Sequence, residues 1–175
     1  ADAFKQIKET GKKLDGFDIE GTRPTMDRVK ESLFGIIQNN LKDSICLDLF
    51  AGSGSLGIEA LSNGASICYF VDKNKQILDI LKNNLKGIEN SILIEKDYLM
   101  ALEELKNKKF DVIFLDPPYK DNLITPSIKK IIELSMLNKD GIIVCEYENE
   151  DIKCDLKLIK DKKYGSKKVK IYKNE

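Results

Sequence analysis

Apolar residues first recur at helical spacing at Met26, Val29, Leu33, Ile37 and Leu41, behind Pro24, a residue suited to a first helical turn. Asp27 and Glu31 near that start agree with the helix dipole, and Arg28 lies off the apolar stripe. From residue 45 the pattern changes, and short apolar runs alternate with amphipathic stretches. It predicts strands at 45–50, 66–71, 92–94, 110–115 and 141–147, with helices at 55–63, 73–86, 99–105 and 127–136. Gly64 and Gly87 follow two of these helices as stops. Residues 157–164 and 167–172 flank Gly165-Ser166 as the strands of a hairpin.

This order specifies an α/β domain: a mostly parallel sheet, right-handed crossovers and helices on both faces, with the terminal hairpin adding an antiparallel edge strand. Residues 1–22, broken by Gly11 and Gly16, read as an N-terminal arm or hairpin before a single domain over 23–175. Ligands in such sheets bind at the carboxyl ends of the strands. Attention therefore falls on the loops after residues 50, 71, 95 and 115.

Composition narrows the chemistry. The 175 residues are 42% apolar and 33% charged, as expected for one globular domain. No run approaches 18 apolar residues and no signal peptide heads the chain, so a cytoplasmic location without a membrane partner is expected. There is no histidine, which excludes a histidine base. The four cysteines form no CxxC pair, and Cys46, Cys68 and Cys145 lie in apolar runs as small core residues. No metal site is expected. The formal net charge is zero, yet residues 156–175 carry eight Lys against Asp161 and Glu175, a net of +6. That excess suits either a phosphate-binding edge or a solvated strand pair. Of the 29 basic side chains only Arg23 and Arg28 are arginines, five residues apart, which suggests sites needing a planar, bidentate donor.

The loop after the first strand reads Asp48-Leu49-Phe50-Ala51-Gly52-Ser53-Gly54-Ser55-Leu56-Gly57, a GxGxxG between strand and helix. Asp72, twenty residues after Gly52, can accept both ribose hydroxyls of an adenosine cofactor. To this point NAD and S-adenosylmethionine fit equally. Asp48 separates them. A carboxylate just before the glycines repels a pyrophosphate but attracts a sulfonium and an ammonium. Asp97 suits a hydrogen bond to an adenine amino group, with Tyr98 beside the ring, and a helix N-cap is its competing role.

The fourth strand ends in Asp116-Pro117-Pro118-Tyr119. Two prolines stiffen the turn and remove two donors, leaving the Asp116 carboxylate and the Pro117 carbonyl as fixed acceptors. An exocyclic base amine is a poor nucleophile because its lone pair is delocalised into the ring. Acceptors that grip its two N–H groups favour a pyramidal nitrogen able to attack a sulfonium methyl, which is binding of the transition state. Tyr119 offers a flat face to a base turned out of its stack.

These segments resemble the amino-methyltransferases with a DPPY-type motif, and most closely the RsmD family of 16S rRNA guanine-N2 methyltransferases. The resemblance runs from Gly11 across nearly the whole chain. It rests on Gly11 to Leu14, Thr22 to Phe34, Leu47 to Gly57 with Glu59-Ala60-Leu61, and Phe114 to Tyr119. The Arg23-Pro24-Thr25 segment is its specific part, because adenine and cytosine amino-methyltransferases share the tetrapeptide. The resemblance implies a Rossmann-like S-adenosylmethionine-dependent methyltransferase fold with seven strands, the last antiparallel. It implies as substrate guanine 966 of 16S rRNA, in an assembling small ribosomal subunit, with no obligate protein partner. By position, Asp48, Gly52 and Gly54 would hold the methionine part of the cofactor, Asp72 the ribose and Asp97 the adenine. Phe50 and Tyr98 join the cofactor site, and Thr25 would lie near the methionine end. Arg23 and Arg28 would face the RNA or brace the active site. Asp116, Pro117 and Tyr119 would act on the target base. The rival readings are an amino-methyltransferase for adenine in DNA or RNA or for a protein glutamine, an NAD-binding oxidoreductase, and a non-catalytic RNA-binding module.

Overall fold

A computed structural model describes residues 23–175, with residues 23–26 as backbone only. The expected arm over 1–22 lies outside the described residues, as do the side chains of Arg23 and Thr25. Helix α1 spans Arg23–Ile37 and runs into a short 3-10 turn at Gln38–Asn40. It buries Val29, Leu33, Phe34 and Ile37, and leaves Asp27 and Arg28 exposed. Because it starts at Arg23, Asp27 falls beyond its first turn, where the dipole expected to favour it has faded.

The alternating pattern then follows as strand β1 Ile45–Asp48, α2 Ser55–Ser62, β2 Ile67–Asp72, α3 Lys75–Leu85, β3 Ser91–Glu95, α4 Tyr98–Glu104, β4 Phe110–Leu115, α5 Ile124–Glu133, β5 Leu137–Tyr147, β6 Lys157–Tyr164 and β7 Lys167–Lys173. Two elements start earlier than their sequence predicts. Helix α5 begins three residues ahead because the Glu150 carboxylate, from beyond β5, accepts the Ile124 and Thr125 N–H groups at 3.0 and 2.8 Å. Strand β5 begins at Leu137, through the turn-like Asn138 to Gly141, with Asp140 at φ 65° and an irregular register against β4. β1 ends at Asp48, two residues short of the apolar run, because the chain turns at Leu49.

The sheet order is β3-β2-β1-β4-β5-β7-β6. The first five strands are parallel, and β7 is antiparallel to both β5 and β6. β7 is therefore internal, and the hairpin supplies β6, antiparallel to β7, as the edge strand. β6 is exposed from Lys157 to Lys163 and rich in lysine, a composition that blunts edge-to-edge pairing. One sheet face carries α1, α2 and α3 over a core including Phe34, Phe70, Leu81 and Phe114. The other carries α4 and α5 over Leu102, Phe110, Ile113 and Ile128. Cys46, Cys68 and Cys145 are buried, as their apolar settings indicated. Among the described residues no helix is long and apolar enough to cross a membrane.

Candidate active site

Strand order reverses between β1 and β4, so the loops leaving their carboxyl ends diverge and open a crevice. Two clefts meet there. The larger, about 620 Å³, is walled by Asp72, Asp97, Tyr98, Leu123 and Asp116-Pro117-Pro118. The smaller, about 240 Å³, lies against Val29 and Lys30 of α1, Ser53, Leu56 and Ile80, and reaches Glu146 and Lys167. Phe50, Gly52, Ile77 and Asp116 line both.

The glycine loop is held from several sides. Ala51 N–H donates to the Val71 carbonyl at 2.9 Å, Gly52 N–H to Asp72 Oδ2 at 3.0 Å, and Asn84 Nδ2 to the Ser53 carbonyl at 2.8 Å. Gly54 precedes α2 at φ 89°, a left-handed backbone where a side chain is strained. Gly57 is packed so closely that a Cβ there would lie 2.8 Å from Cys68 Sγ and collide with the Phe70 ring. A side chain at either position would push α2 away from β2.

Asp48 is 1% exposed. Its Oδ2 accepts the Gly57 N–H at 3.1 Å, but Oδ1 is buried with no hydrogen-bond partner. Burial raises its pKa to about 7, against the Gly57 hydrogen bond and with help from Asp72 and Glu146. A buried acceptor in this state costs free energy until a donor, best a cation, reaches it.

Asp72, at the end of β2, accepts the Gly52 N–H on Oδ2 and the Lys73 and Asn74 N–H groups on Oδ1. It fixes the loop while lining the larger cleft. Asp97 caps α4, its Oδ2 accepting the Leu99 N–H at 3.1 Å, and it also lines the same cleft. Its Oδ1 lies 3.5 Å from Lys73 Nζ. Phe50 and Tyr98 form one wall, with ring centroids 5.2 Å apart.

Asp116 stands where the clefts meet. Burial and the nearby Glu146 carboxylate raise its pKa well above the usual range, with Lys167 opposing. The sequence suggested a plain acceptor, whereas the structure gives Asp116 a strong affinity for a proton. Glu146, 4% exposed on β5, pairs with Lys167 Nζ of β7 at 3.1 Å. Burial works against the Lys167 charge, but Glu146 and Asp116 outweigh it and raise its pKa. Lys167 Nζ also sits 5.7 Å from the centre of the Tyr119 ring.

Asp48 is buried behind the glycine loop shaped by Gly54 and lines neither cleft, whereas Phe50, Gly52, Asp72, Asp97, Tyr98, Asp116 and Pro117 line one crevice. Tyr119 is half-buried beside it with Lys167 over its ring, and Arg28 is exposed on α1. Glu146 and Lys167 were not singled out by the sequence. Glu146 had a signal, a lone charge inside the apolar run Ile142 to Tyr147; Lys167 is one lysine among eight near the end of the chain. Among the described residues no group of metal-ligating side chains assembles.

A family model described as conserved hypothetical protein 95 matches residues 8–173. A protein of Haemophilus influenzae named ribosomal RNA small subunit methyltransferase D is 38% identical over 172 residues, covering 94% of this chain and 89% of its own. The solved structure of a conserved hypothetical protein from Streptococcus pyogenes superposes with a TM-score of 0.76 at 33% identity, covering 83% of this chain and 95% of that one. A proposed methyltransferase complexed with SAH shares the fold, with a TM-score of 0.70 at 16% identity over 89% of this chain and 50% of its own. The chain therefore belongs to the conserved hypothetical protein 95 family, the RsmD family, and carries its Rossmann-like S-adenosylmethionine-dependent methyltransferase fold.

Proposed function

We propose that this protein transfers a methyl group from S-adenosylmethionine to the 2-amino group of a guanine in 16S rRNA, guanine 966 by family resemblance, within an assembling small subunit. The observation that carries the reading is the placement of Asp116 on the wall shared by two clefts, with Pro117 beside it in the larger one, which suits an adenosine cofactor, and the smaller one open beside it. The name of the Haemophilus relative supports the ribosomal substrate.

The residues fit the cofactor. Asp48 Oδ1 is a buried acceptor awaiting a cationic donor, which the methionine ammonium supplies. Asp72 presents its carboxylate to the ribose, Asp97 faces the adenine, and Phe50 and Tyr98 flank the adenosine. Gly52 and Gly54 give the loop its shape at the methionine end, with Thr25 placed nearby by the family pattern. When bound, the cofactor supplies a methyl group made electrophilic by its sulfonium. Asp116 and the Pro117 carbonyl grip the two N–H groups of the target amine and localise its lone pair toward that methyl. As the nitrogen gains a bond it becomes acidic, and Asp116, whose proton affinity burial has raised, can take the proton it sheds. Tyr119 steadies the turned-out base, and Arg23 and Arg28 contact RNA phosphates or brace the site. Residues 23–175 form the methyltransferase domain. The cytoplasm is its location.

Mass mapping of 16S rRNA from cells lacking the protein tests this. We expect loss of one N2-methylguanosine, restored by the intact gene and not by an Asp116→Ala variant. Unaltered guanine methylation, with loss of a methyl mark on adenine or on a protein glutamine, would reassign the substrate.

A further inference from the structure

The cofactor side of the crevice is built by β1, β2 and β3. The other side is built by β4, β5 and β7, and there three side chains form a connected row. The Asp116 carboxyl lies near that of Glu146 in the same cleft, and Glu146 Oε2 lies 3.1 Å from Lys167 Nζ. All three line the smaller cleft. Glu146 is 4% exposed, so its carboxylate is not a solvated surface charge. A buried and a half-buried carboxyl group near one another repel when both are ionised, and one ammonium does not neutralise both. The arrangement is completed by a partner that brings further N–H donors into the cleft.

The order of the row is acceptor, acceptor, donor. Along its Watson–Crick edge guanine presents donor, donor, acceptor: the 2-amino group, N1–H and O6. We propose that Glu146 and Lys167 read the guanine, Glu146 accepting N1–H and Lys167 donating to O6, while Asp116 holds the 2-amino group. This rests on the guanine-N2 reading above and supplies its base selectivity. Adenine offers an unprotonated N1 to Glu146 and an amino group to Lys167, so acceptor meets acceptor and donor meets donor. The DPPY tetrapeptide alone grips any exocyclic amine, and these residues of β5 and β7 confine it to one base. Their ion pair also keeps both groups ordered before the base arrives, which limits the entropy lost on recognition.

The test uses small subunits reconstituted with 16S rRNA bearing either guanosine or 2,6-diaminopurine riboside at position 966. The analogue keeps the nucleophilic 2-amino group but replaces N1–H by a lone pair and O6 by an amino group. Wild-type protein should favour guanosine by about 10-fold or more in kcat/KM, the scale of one well-made base contact. Glu146→Gln can turn its amide N–H to the analogue's N1, so the preference should fall to within about threefold or invert. Lys167→Gln, on a different strand, should also reduce it, by accepting from the analogue's amino group. S-adenosylhomocysteine binding, read by calorimetry, identifies variants that keep the fold, and either variant alone decides the matter. A preference retained by a folded variant, or no preference in the wild type, overturns the guanine-reading pair while leaving methyl transfer to guanine intact. No transfer to guanosine RNA by wild-type protein overturns the substrate reading itself, and the pair with it.

Discussion

Replacing Asp48 by Asn separates what this residue does for the fold from what it does for the cofactor. Its pKa rises from 3.8 to about 7 in the folded protein, chiefly through burial. The folded state therefore keeps a proton that the unfolded chain has already released. The stability tied to that proton is complete below about pH 4 and is lost as pH rises through about 7. A shift of roughly three units at 1.36 kcal/mol each sets the loss at no more than about 4 kcal/mol by pH 8. Asn carries no charge to desolvate and can still accept the Gly57 N–H. Its amide N–H groups then lack a partner beside the buried Oδ1 position, which costs about 1–3 kcal/mol. Without cofactor, Asp48→Asn should thus be more stable than wild type at pH 8 by about 1–3 kcal/mol and lose that advantage by pH 5. Urea unfolding of both proteins across this range measures the difference. The same substitution should weaken S-adenosylhomocysteine binding by about 10²-fold, since a buried charge partner is removed. In the wild type that affinity should fall by up to about tenfold per pH unit below pH 7, as Asp48 must first give up its proton. A stability difference that stays constant from pH 5 to pH 8 would refute the reasoning, because it would place Asp48 in the same charge state folded and unfolded.

Asp116→Ala should lower the single-turnover methyl-transfer rate by about 10²–10³ at saturating cofactor with little change in cofactor Kd, and Asp116→Asn should be milder, since its amide oxygen still accepts one hydrogen bond. A near wild-type rate for Asp116→Ala would reduce the residue to a turn former. Gly57→Ala should cost about 1–3 kcal/mol in urea unfolding, because its Cβ would lie 2.8 Å from Cys68 Sγ and against Phe70. Neutralising Lys162, Lys163 and Lys168 of the β6–β7 hairpin should flatten the salt dependence of RNA binding by about two to three in the log–log slope, and an unchanged slope would make them a solvated face. Lys167 is left out of that set because it belongs to the buried ion pair with Glu146.

The elements that the sequence revealed are those whose stabilising contacts lie within one element and its neighbours. Helix α3 is a single amphipathic stripe with its own cap, Asn74, whose side chain accepts the Gln76 and Ile77 N–H groups. β4 is apolar at every position but Asp111, as expected of a central parallel strand buried on both faces. The rest shares the opposite cause. The start of α5 is fixed by Glu150, 25 or 26 residues away in sequence, so no local window contains it. The placing of β7 inside β6 depends on which hairpin strand offers the better apolar face to β5. Val169, Ile171 and Tyr172 are buried, whereas β6 leaves Leu158 and Ile159 exposed and packs only Tyr164, at its end, partly against the core. That contrast is written in the sequence, but it decides the order only when the two strands are compared with each other rather than read one at a time.

The site divides along the same line. The half proposed for the cofactor was legible because a glycine loop and strand-end carboxylates must occur at fixed offsets from the strands, as Asp48, Asp72 and Asp97 do. The base-facing half has no such grammar, because β5 and β7 are brought together only by the sheet. Yet Glu146 had a physical signature. A carboxylate within a run as apolar as Ile142 to Tyr147 costs several kcal/mol to bury unless something pairs with it, so a partner had to exist somewhere in the fold. The sequence could not say which of the lysines it was. The antiparallel register answers that by setting Glu146 opposite Val169 and Tyr147 opposite Lys168, which brings Lys167, next along β7, to the carboxyl end of β5 beside Asp116. The selectivity proposed for this site is thus a product of β7 lying next to β5: with the hairpin strands exchanged, Asp116 would still grip an amine but would have no neighbour to tell one base from another.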